Sequence, residues 1–400
     1  MKKVIIINPY LPTLGGGEKH MGYLCQFIEE YYNGDVNIDI LVHNYHKENI
    51  YDKNYVTIDK VNDVFGLNLQ HTGIKKLNIG HAKNKIQFLK YKRMIENITK
   101  GYDICINFMF FSKHCAKGRV NIYQVMFPPK RFIEESPNAS LPAKAVYRYF
   151  DRQFYKSYDK FVCNSNFTKG WLERYWQSGD KNCVIYPPVF SEDDKLCERY
   201  NESEKQNIII SVGRFFVKDH SKRQLDMVTF FVNNEEIFRN YEYHLVGNVS
   251  TLPEDIAYLN KIKTIAATVD NVYIHEKMDY EGLMGLYRKA KIFWHATGYG
   301  VDEEKEPWKM EHFGITTVEA MSYGAVPVVI DKGGQTEIVE EGVNGYRWLD
   351  EQGCVGKTQH LIDDDKLRRR MAEESVERAK LYSVDAFYER NRKLFQKLGI

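Results

Sequence analysis

Four hundred residues are more than one hydrophobic core usually serves, and 43% hydrophobic with 28% charged residues describe an ordinary soluble chain of two domains. The formal net charge of +2 supplies no global field of the kind that nucleic acid requires, so no nucleic-acid partner is expected. Seven scattered cysteines with no CxxC pair argue against a disulfide framework and a cysteine zinc site and fit a reducing cytoplasm. No apolar run approaches the roughly 18 residues of a membrane span, and MKKVIIINPYLP is too short in its apolar part for a signal peptide.

Residues 4–8 have the pattern of a buried strand, PYLPTLGGG follows, and residues 18–31 are helical in spacing through Met21, Leu24, Cys25 and Ile28. Gly15, Gly16 and Gly17 thus stand where strand turns into helix. Backbone N–H groups there can approach a phosphate or a sugar with no Cβ in the way, or the triplet is a plain hinge. No GxGxxG is present, so the dinucleotide fingerprint is absent. Strand-like runs at 38–42, 104–108, 120–126 and 161–164 alternate with helical or loop segments, as in a doubly wound sheet. Two basic, aromatic stretches, 75–94 and 128–158, read equally as solvated or packed faces and as segments drawn to an anionic membrane surface. Asn164-Ser165 either caps the helix that begins near Phe167 or meets a ligand. The polar segment 192–205 reads as a linker.

The pattern then restarts, with strand-like runs at 207–212, 243–246, 272–275, 292–296, 326–330 and 346–348. Arg214 follows the first of these, at the end of a strand where α/β sheets deliver ligand-binding groups. His295, at the end of another, reads as a packed, hydrogen-bonded residue or else as one that borders a ligand. The stretch WKMEHFGITTVEAMSYGAVPVVIDKGG (308–334) is the most informative: Glu311 precedes the loop HFGI, Thr316 begins a helix that Gly324 ends, and a buried strand runs into a glycine loop. The N–H groups that open such a helix have no partner inside it and attract a diphosphate. Glu319 is three residues from Thr316, so it either folds back as a capping box or faces a ligand. Asn344-Gly345 suits a tight turn with both residues at positive φ. Asp363, Asp364 and Asp365 look like a capping segment, and residues 383–400 form a last helix with Phe387, Leu394 and Phe395 as its apolar positions.

In its ordered combination of Glu311 and Glu319, the segment EHFGITTVEAMSYGAVPVVIDKGGQTEIVEEGVNGY resembles the donor-binding segment of glycosyltransferase family 4, whose signature is Glu, seven residues, Glu. VIIINPYLPTLGGGEKH, FVCNSNFTKGWLERYW with VIYPPV, and IIISVGRFF with DHSKRQ agree in the expected order. The resemblance implies an α/β GT-B fold, two Rossmann-like doubly wound domains facing a cleft. It divides the chain into an acceptor-side domain (1–195), a nucleotide-sugar domain (206–382) and a helix (383–400) that crosses back to the first domain. It also implies a retaining glycosyltransferase that works from a nucleoside-diphosphate sugar of UDP or GDP type. Glu311 would face the transferred sugar, Glu319 the ribose hydroxyls, and Arg214 with Lys222 the diphosphate; Lys218 takes that place if FVKDHS is not extended. Backbone N–H groups of Phe313, Gly314 and Ile315 would hold the sugar hydroxyls and Thr316 or Thr317 the phosphate, while the loop with Gly16 and Gly17 lines donor and acceptor. Many family members carry a histidine after the strand that here reads NIYQVMFPP, where this chain has Gln124 and Met126. The front-face substitution attributed to the family needs no protein base, since the leaving phosphate oxygen takes the acceptor proton.

The function expected is therefore hexosyl transfer to a glycan or lipid-linked acceptor in surface polysaccharide synthesis, by a cytoplasmic enzyme at or near the inner face of the membrane. No metal or other cofactor is expected, because no DxD-type pair stands in a suitable loop and Arg214 and Lys222 offer the positive charge. The alternatives are a GT-B epimerase or phosphorylase, and a non-catalytic glycosyltransferase-like binding subunit, which the departure at Met126 favours.

Overall fold

The computed structural model describes residues 1–43, 55–79, 83–190, 200–218 and 220–400, and they form two compact α/β units. The first comprises Met1–Pro188 together with Phe387–Ile400, the second Val189–Ala386.

In the first unit seven strands, β1 (Lys2–Ile7), β2 (Val36–His43), β3 (Thr72–Leu77), β4 (Ile104–Asn107), β5 (Val120–Val125), β6 (Lys160–Cys163) and β7 (Asn182–Val184), pair in parallel in the order β3-β2-β1-β4-β5-β6-β7. The helices between them are α1 (Gly16–Tyr31), α2 (Ile58–Phe65), α3 (Lys85–Ile98), the one-turn α4 (Phe132–Glu135), α5 (Leu141–Ser157) and α6 (Asn166–Trp176). Val4, Ile6, Ile38, Ile40, Ile104 and Ile106 are fully buried because parallel strands covered on both faces have no wet side. Leu24 and Ile28 of α1, a turn apart, press on this sheet from one face. So does the last helix of the chain: Phe387, Leu394 and Phe395 enter the same core, with Phe395 edge-on to Phe27 at 5.3 Å.

The second unit pairs β8 (Gln206–Val212), β9 (Glu242–Val246), β10 (Val272–His275), β11 (Ala290–His295), β12 (Val326–Ile330) and β13 (Tyr346–Trp348) in the parallel order β10-β9-β8-β11-β12-β13. Its helices are α7 (Gln224–Asn233), α8 (Glu235–Phe238), α9 (Pro253–Ala266), α10 (Tyr280–Lys289), α11 (Ile315–Ser322), α12 (Gln335–Ile338), α13 (Glu351–Asp363) and α14 (Asp365–Ala379), and α15 (Val384–Leu398) carries the chain back to the first unit. Trp294 on β11 is, with Trp348, among the largest fully buried side chains; its indole N–H donates to Thr358 Oγ1 at 2.9 Å and its carbonyl accepts from Ser211 Oγ at 3.0 Å, so its polar atoms are paired within the core.

In both sheets the strand order reverses once, between β1 and β4 and between β8 and β11. Crossovers leave on opposite faces there, which opens a crevice beyond the carboxyl ends of the two strands. Among the described residues no helix is long and apolar enough to cross a membrane.

Three local expectations are corrected. The capping box at Thr316–Glu319 does not form: Gly314 is the N-cap of α11, so Thr316 already lies inside the helix. At the turn before β13 it is Gly342, not Asn344 or Gly345, that takes the left-handed conformation (φ 75°). The Asn344 side chain closes the turn instead, accepting from the Glu340 N–H at 2.7 Å. The supposed linker is in part a docked segment. Residues 191–199 lie outside the described ones, but Glu202 accepts an ion pair from the fully buried Arg368 of α14, and Tyr200 packs on Gly324.

Candidate functional site

The strand reversal of the second sheet brings the turn after β8 beside the end of β11, and the side chains there meet. Lys222 Nζ donates to Glu311 Oε2, and His295 Nε2 lies 3.0 Å from the same oxygen, so the imidazole presents N–H to the carboxylate. Thr297 Oγ1 is 3.1 Å from that nitrogen. Burial alone pushes the Glu311 carboxyl up, but the Lys222 ammonium, the His295 hydrogen bond and their charges outweigh it and hold the group well below the usual carboxylate range. His295 is itself lowered, because burial disfavours the imidazolium more than Glu311 favours it. The site thus keeps a charged carboxylate in a nearly dry place, with a neutral imidazole and an ammonium as its donors.

Glycines make this geometry accessible. A Cβ on Gly213 would stand 2.5 Å from Lys222 Cγ, so the lysine stem lies directly across the backbone of the turn after β8. Gly247 presses on that turn in the same way: its added Cβ would be 2.0 Å from the Gly213 carbonyl oxygen. The stretch that carries Glu311 is clamped by Gly333-Gly334. The Gly334 N–H donates to the Glu311 carbonyl at 2.7 Å, and a Cβ on Gly333 or Gly334 would stand 2.5 or 2.6 Å from the carbonyl oxygens of Glu311 or His312. Here the glycine loop is a backbone vice rather than only a turn.

Gly314, at φ 129°, opens α11, and the first N–H groups of that helix, on Ile315 and Thr316, have no carbonyl a turn earlier within it. Phe313 is buried, and its ring meets that of Tyr382 at 5.3 Å. The Thr317 hydroxyl donates to Gln335 Oε1 at 3.0 Å, and Gln335 Nε2 fills the space that a Cβ on Gly314 would need. Glu319, in the next turn, is half-buried and accepts a long hydrogen bond from the Tyr287 hydroxyl at 3.4 Å.

Arg214 is exposed at the end of β8, forms no ion pair among the described residues, and lies over the Phe216 ring at 4.9 Å. The two candidate lysines diverge. Lys218 is held by Glu254 at 3.0 Å on the outside, whereas Lys222 reaches Glu311. Their loop also contains His220 and Arg223, both left-handed (φ 64° and 57°), and the His220 ring stands edge-on to that of His312 at 4.5 Å. His312 is driven well below its ordinary value, first by burial and then by the neighbouring His220. Of these residues the sequence marks His295 alone, as packed and hydrogen-bonded or as bordering a ligand, and carries no signal that singles out His220, His312, Gly213 or Gly247. A histidine at the end of the strand that flanks the reversal was the available signal for His295.

In the first unit Gly15 caps α1 and its N–H is taken by the buried Glu18 carboxylate at 3.0 Å, which also accepts from Thr13 Oγ1 at 2.8 Å. Gly16 and Gly17 therefore supply the helix N–H groups that remain. Met126 stands just past β5, its Cε 3.8 Å from where a Cβ of Gly17 would lie, so this pair adjoins. Gln124 is buried within β5, and its amide nitrogen has no hydrogen-bond partner among the described residues. The Ser165 side chain caps α6 by accepting from the Thr168 N–H at 3.0 Å.

Known proteins resemble this chain in sequence and in fold. Residues 192–378 match the family described as glycosyl transferases group 1. An uncharacterized glycosyltransferase of Methanocaldococcus jannaschii is 23% identical over 404 residues, covering 99% of each chain. An alpha-1,3/1,6-mannosyltransferase of Dictyostelium discoideum is 25% identical over 223 residues, 47% of this chain and 48% of that one, so the chain spans about half the length of such relatives. Among solved structures, a glycosyltransferase from Rickettsia africae superposes with a TM-score of 0.70 at 16% identity, covering 99% of this chain and 98% of that one. The Anabaena HepE protein, in complex with UDP and glucose, does so at 0.65 and 14%, covering 99% and 100%. These likenesses show the GT-B fold. Through its second unit, whose strand reversal assembles the site around Glu311, the chain is similar to the glycosyl transferases group 1 family.

Proposed function

We propose that the protein moves a hexose from a nucleoside-diphosphate sugar, of UDP or GDP type, to a glycan or lipid-linked acceptor, with retention at the anomeric carbon. The observation that carries this reading is the half-buried Glu311, its carboxyl held well below the usual range by Lys222 and His295 beside the open N-terminus of α11. A carboxylate in that state accepts hydroxyl hydrogens strongly, which suits a sugar ring, and Glu319 offers two acceptor oxygens to a vicinal diol such as a ribose. Diphosphate charge falls to Arg214, Lys222 and the N–H groups of Ile315 and Thr316, without a bound metal.

In the step itself the bond from anomeric carbon to diphosphate oxygen breaks while the acceptor oxygen bonds to that carbon on the same face. The acceptor proton passes to the departing phosphate oxygen. Negative charge grows on the diphosphate as it leaves, so preformed donors are worth most there; removing one such donor costs about 3 to 4 kcal/mol of barrier in comparable oxyanion sites. Lys222 has a second task, because in the structure described it is bonded to Glu311. A donor bound between the two would share both groups, and the sugar hydroxyl replaces the lysine as a partner of the carboxylate. The likeness to a mannosyltransferase and to a protein solved with UDP and glucose supports a hexose donor.

The test is a thermal-shift screen of UDP and GDP sugars followed by transfer or donor hydrolysis. One donor should raise the melting midpoint and turn over, and Glu311→Ala should lose at least about a hundredfold in turnover while remaining folded, the size expected for a group that acts on the reacting sugar. Turnover undiminished in Glu311→Ala, or no nucleotide sugar bound by the wild type, overturns the reading.

A further inference from the structure

The first unit carries a surface that the transfer site does not use. Helices α3 and α5 lie on the same side of the sheet: Lys92 of α3 sits over the Phe150 ring of α5 at 6.0 Å, and Glu96 of α3 and Ser157 of α5 each accept a backbone N–H from the adjoining residues Cys115 and Ala116. At 100° per residue, Leu141, Tyr149 and Arg152 share the outer face of α5 with Val146 and Arg148 at its margins, and Ile86, Leu89, Lys90 and Arg93 share one face of α3. These apolar side chains face water to an unusual degree: Ile86 is 81% exposed, Leu141 82% and Tyr149 58%.

The charges on these helices are sorted. Lys90, Arg93, Arg148, Arg152 and Lys156 are exposed. The single carboxylate of each helix is turned inward. Glu96 of α3 is buried and paired with Lys92 at 2.9 Å, and Asp151 of α5 is buried and accepts the Phe132 and Ile133 N–H groups at 2.8 and 3.2 Å. On the neighbouring α4, Glu134 and Glu135 are held by Arg131 and by Lys113. Two outward faces that offer basic and apolar groups and no exposed carboxylate of their own helices match an interface of anionic headgroups over hydrocarbon, where the apolar part enters and the cations stay at headgroup level. A protein partner would have to be as strongly acidic over an equally apolar patch.

Position along the helices adds a second argument. In a parallel sheet each connecting helix starts at the carboxyl edge of the strands, so Ile86 and Leu89, and Leu141, Val146 and Tyr149, fall in the halves of α3 and α5 nearest that edge. The same edge of this sheet bears Gly16, Gly17 and Met126. We infer that α3 and α5 together form a docking face for an anionic lipid bilayer, which holds the carboxyl edge of the first sheet at the membrane surface. The inference goes with the lipid-linked acceptor of the proposed reaction, yet its test needs no catalysis.

The experiment is co-sedimentation of the full chain with phosphatidylcholine vesicles, with and without about 30% phosphatidylglycerol. Binding is expected on the anionic vesicles only, and it should fall steeply with added salt. Arg93→Gln and Arg148→Gln should each weaken it about fivefold, and Ile86→Glu combined with Tyr149→Glu should abolish it. Circular dichroism and the thermal shift by nucleotide sugar should stay as in wild type, since these side chains are exposed. A wild-type chain that stays in the supernatant with anionic vesicles, or surface variants that bind undiminished, overturns the proposal. So does light scattering that shows the face pairing two copies of the chain, with no lipid bound. Vesicle binding without any nucleotide-sugar shift would sink the transfer reading and leave the docking face standing.

Discussion

Glu311 and Lys222 are each mostly shielded from water, and each is the other's countercharge. Breaking such a pair from one side leaves a charge buried alone, which costs more than the pair itself contributes. Lys222→Ala is therefore expected to lower the unfolding free energy of the second unit by about 2 to 3 kcal/mol, read from urea titration. Adding Glu311→Gln should restore part of that loss; strictly additive effects would show that the two do not interact in solution. The sign of the pH effect follows from the direction of the shift. The Glu311 carboxyl is depressed in the fold, so its contribution is complete above the ordinary carboxylate range and disappears only as the pH falls through the lowered value.

At the scale of elements the site depends on how closely turns can approach. A Cβ on Gly247 would sit 2.0 Å from the Gly213 carbonyl, and backbone cannot yield as a side-chain tip does. Gly247→Ala should separate the turns after β8 and β9, cost about 2 kcal/mol or more, and weaken nucleotide binding by displacing Lys222. Gly66→Ala is the control: its surroundings are open, so only the left-handed φ of 65° is penalised, at about 1 kcal/mol, with no loss of nucleotide binding. Equal losses of binding in both would show that the close approach is unimportant. The strands themselves were legible, because runs such as 326–330 and 272–275 are apolar and short. β3 was not, since TGIKKL at a sheet edge alternates weakly and carries two lysines.

For the whole molecule, acid should be destabilising well before carboxylates titrate. His20 is fully enclosed between the Phe108 and Phe387 rings, neither ring nitrogen has a hydrogen-bond partner among the described residues, and burial lowers it to about 3. Its folded value lies below the unfolded one near 6.5, so between the two the unfolded chain binds the extra proton and stability falls as pH falls. At pH 5 this amounts to about 2 kcal/mol from His20 alone, with His295 and His312 acting in the same direction. Urea midpoints at pH 7 and pH 5 should separate accordingly, and His20→Leu should narrow the gap. An unchanged gap would mean that His20 takes up its proton in the folded state.

The sequence by itself determined the repeating strand and helix pattern, the restart near residue 206 and the neighbourhood of Glu311, because hydrophobic period and glycine placement are local properties of the chain. It did not determine which basic residue meets that glutamate. Lys218 and Lys222 are alike in sequence, and only the packing of the turn after β8 against Gly247, with His220 and Arg223 in left-handed conformations, sends one outward to Glu254 and the other inward. His295 likewise lies sixteen positions from Glu311, and its role depended on which strands lie side by side where the sheet order reverses. Pairing across a sheet is set by long-range contacts, and a side chain's charge and partners follow from the burial that those contacts create.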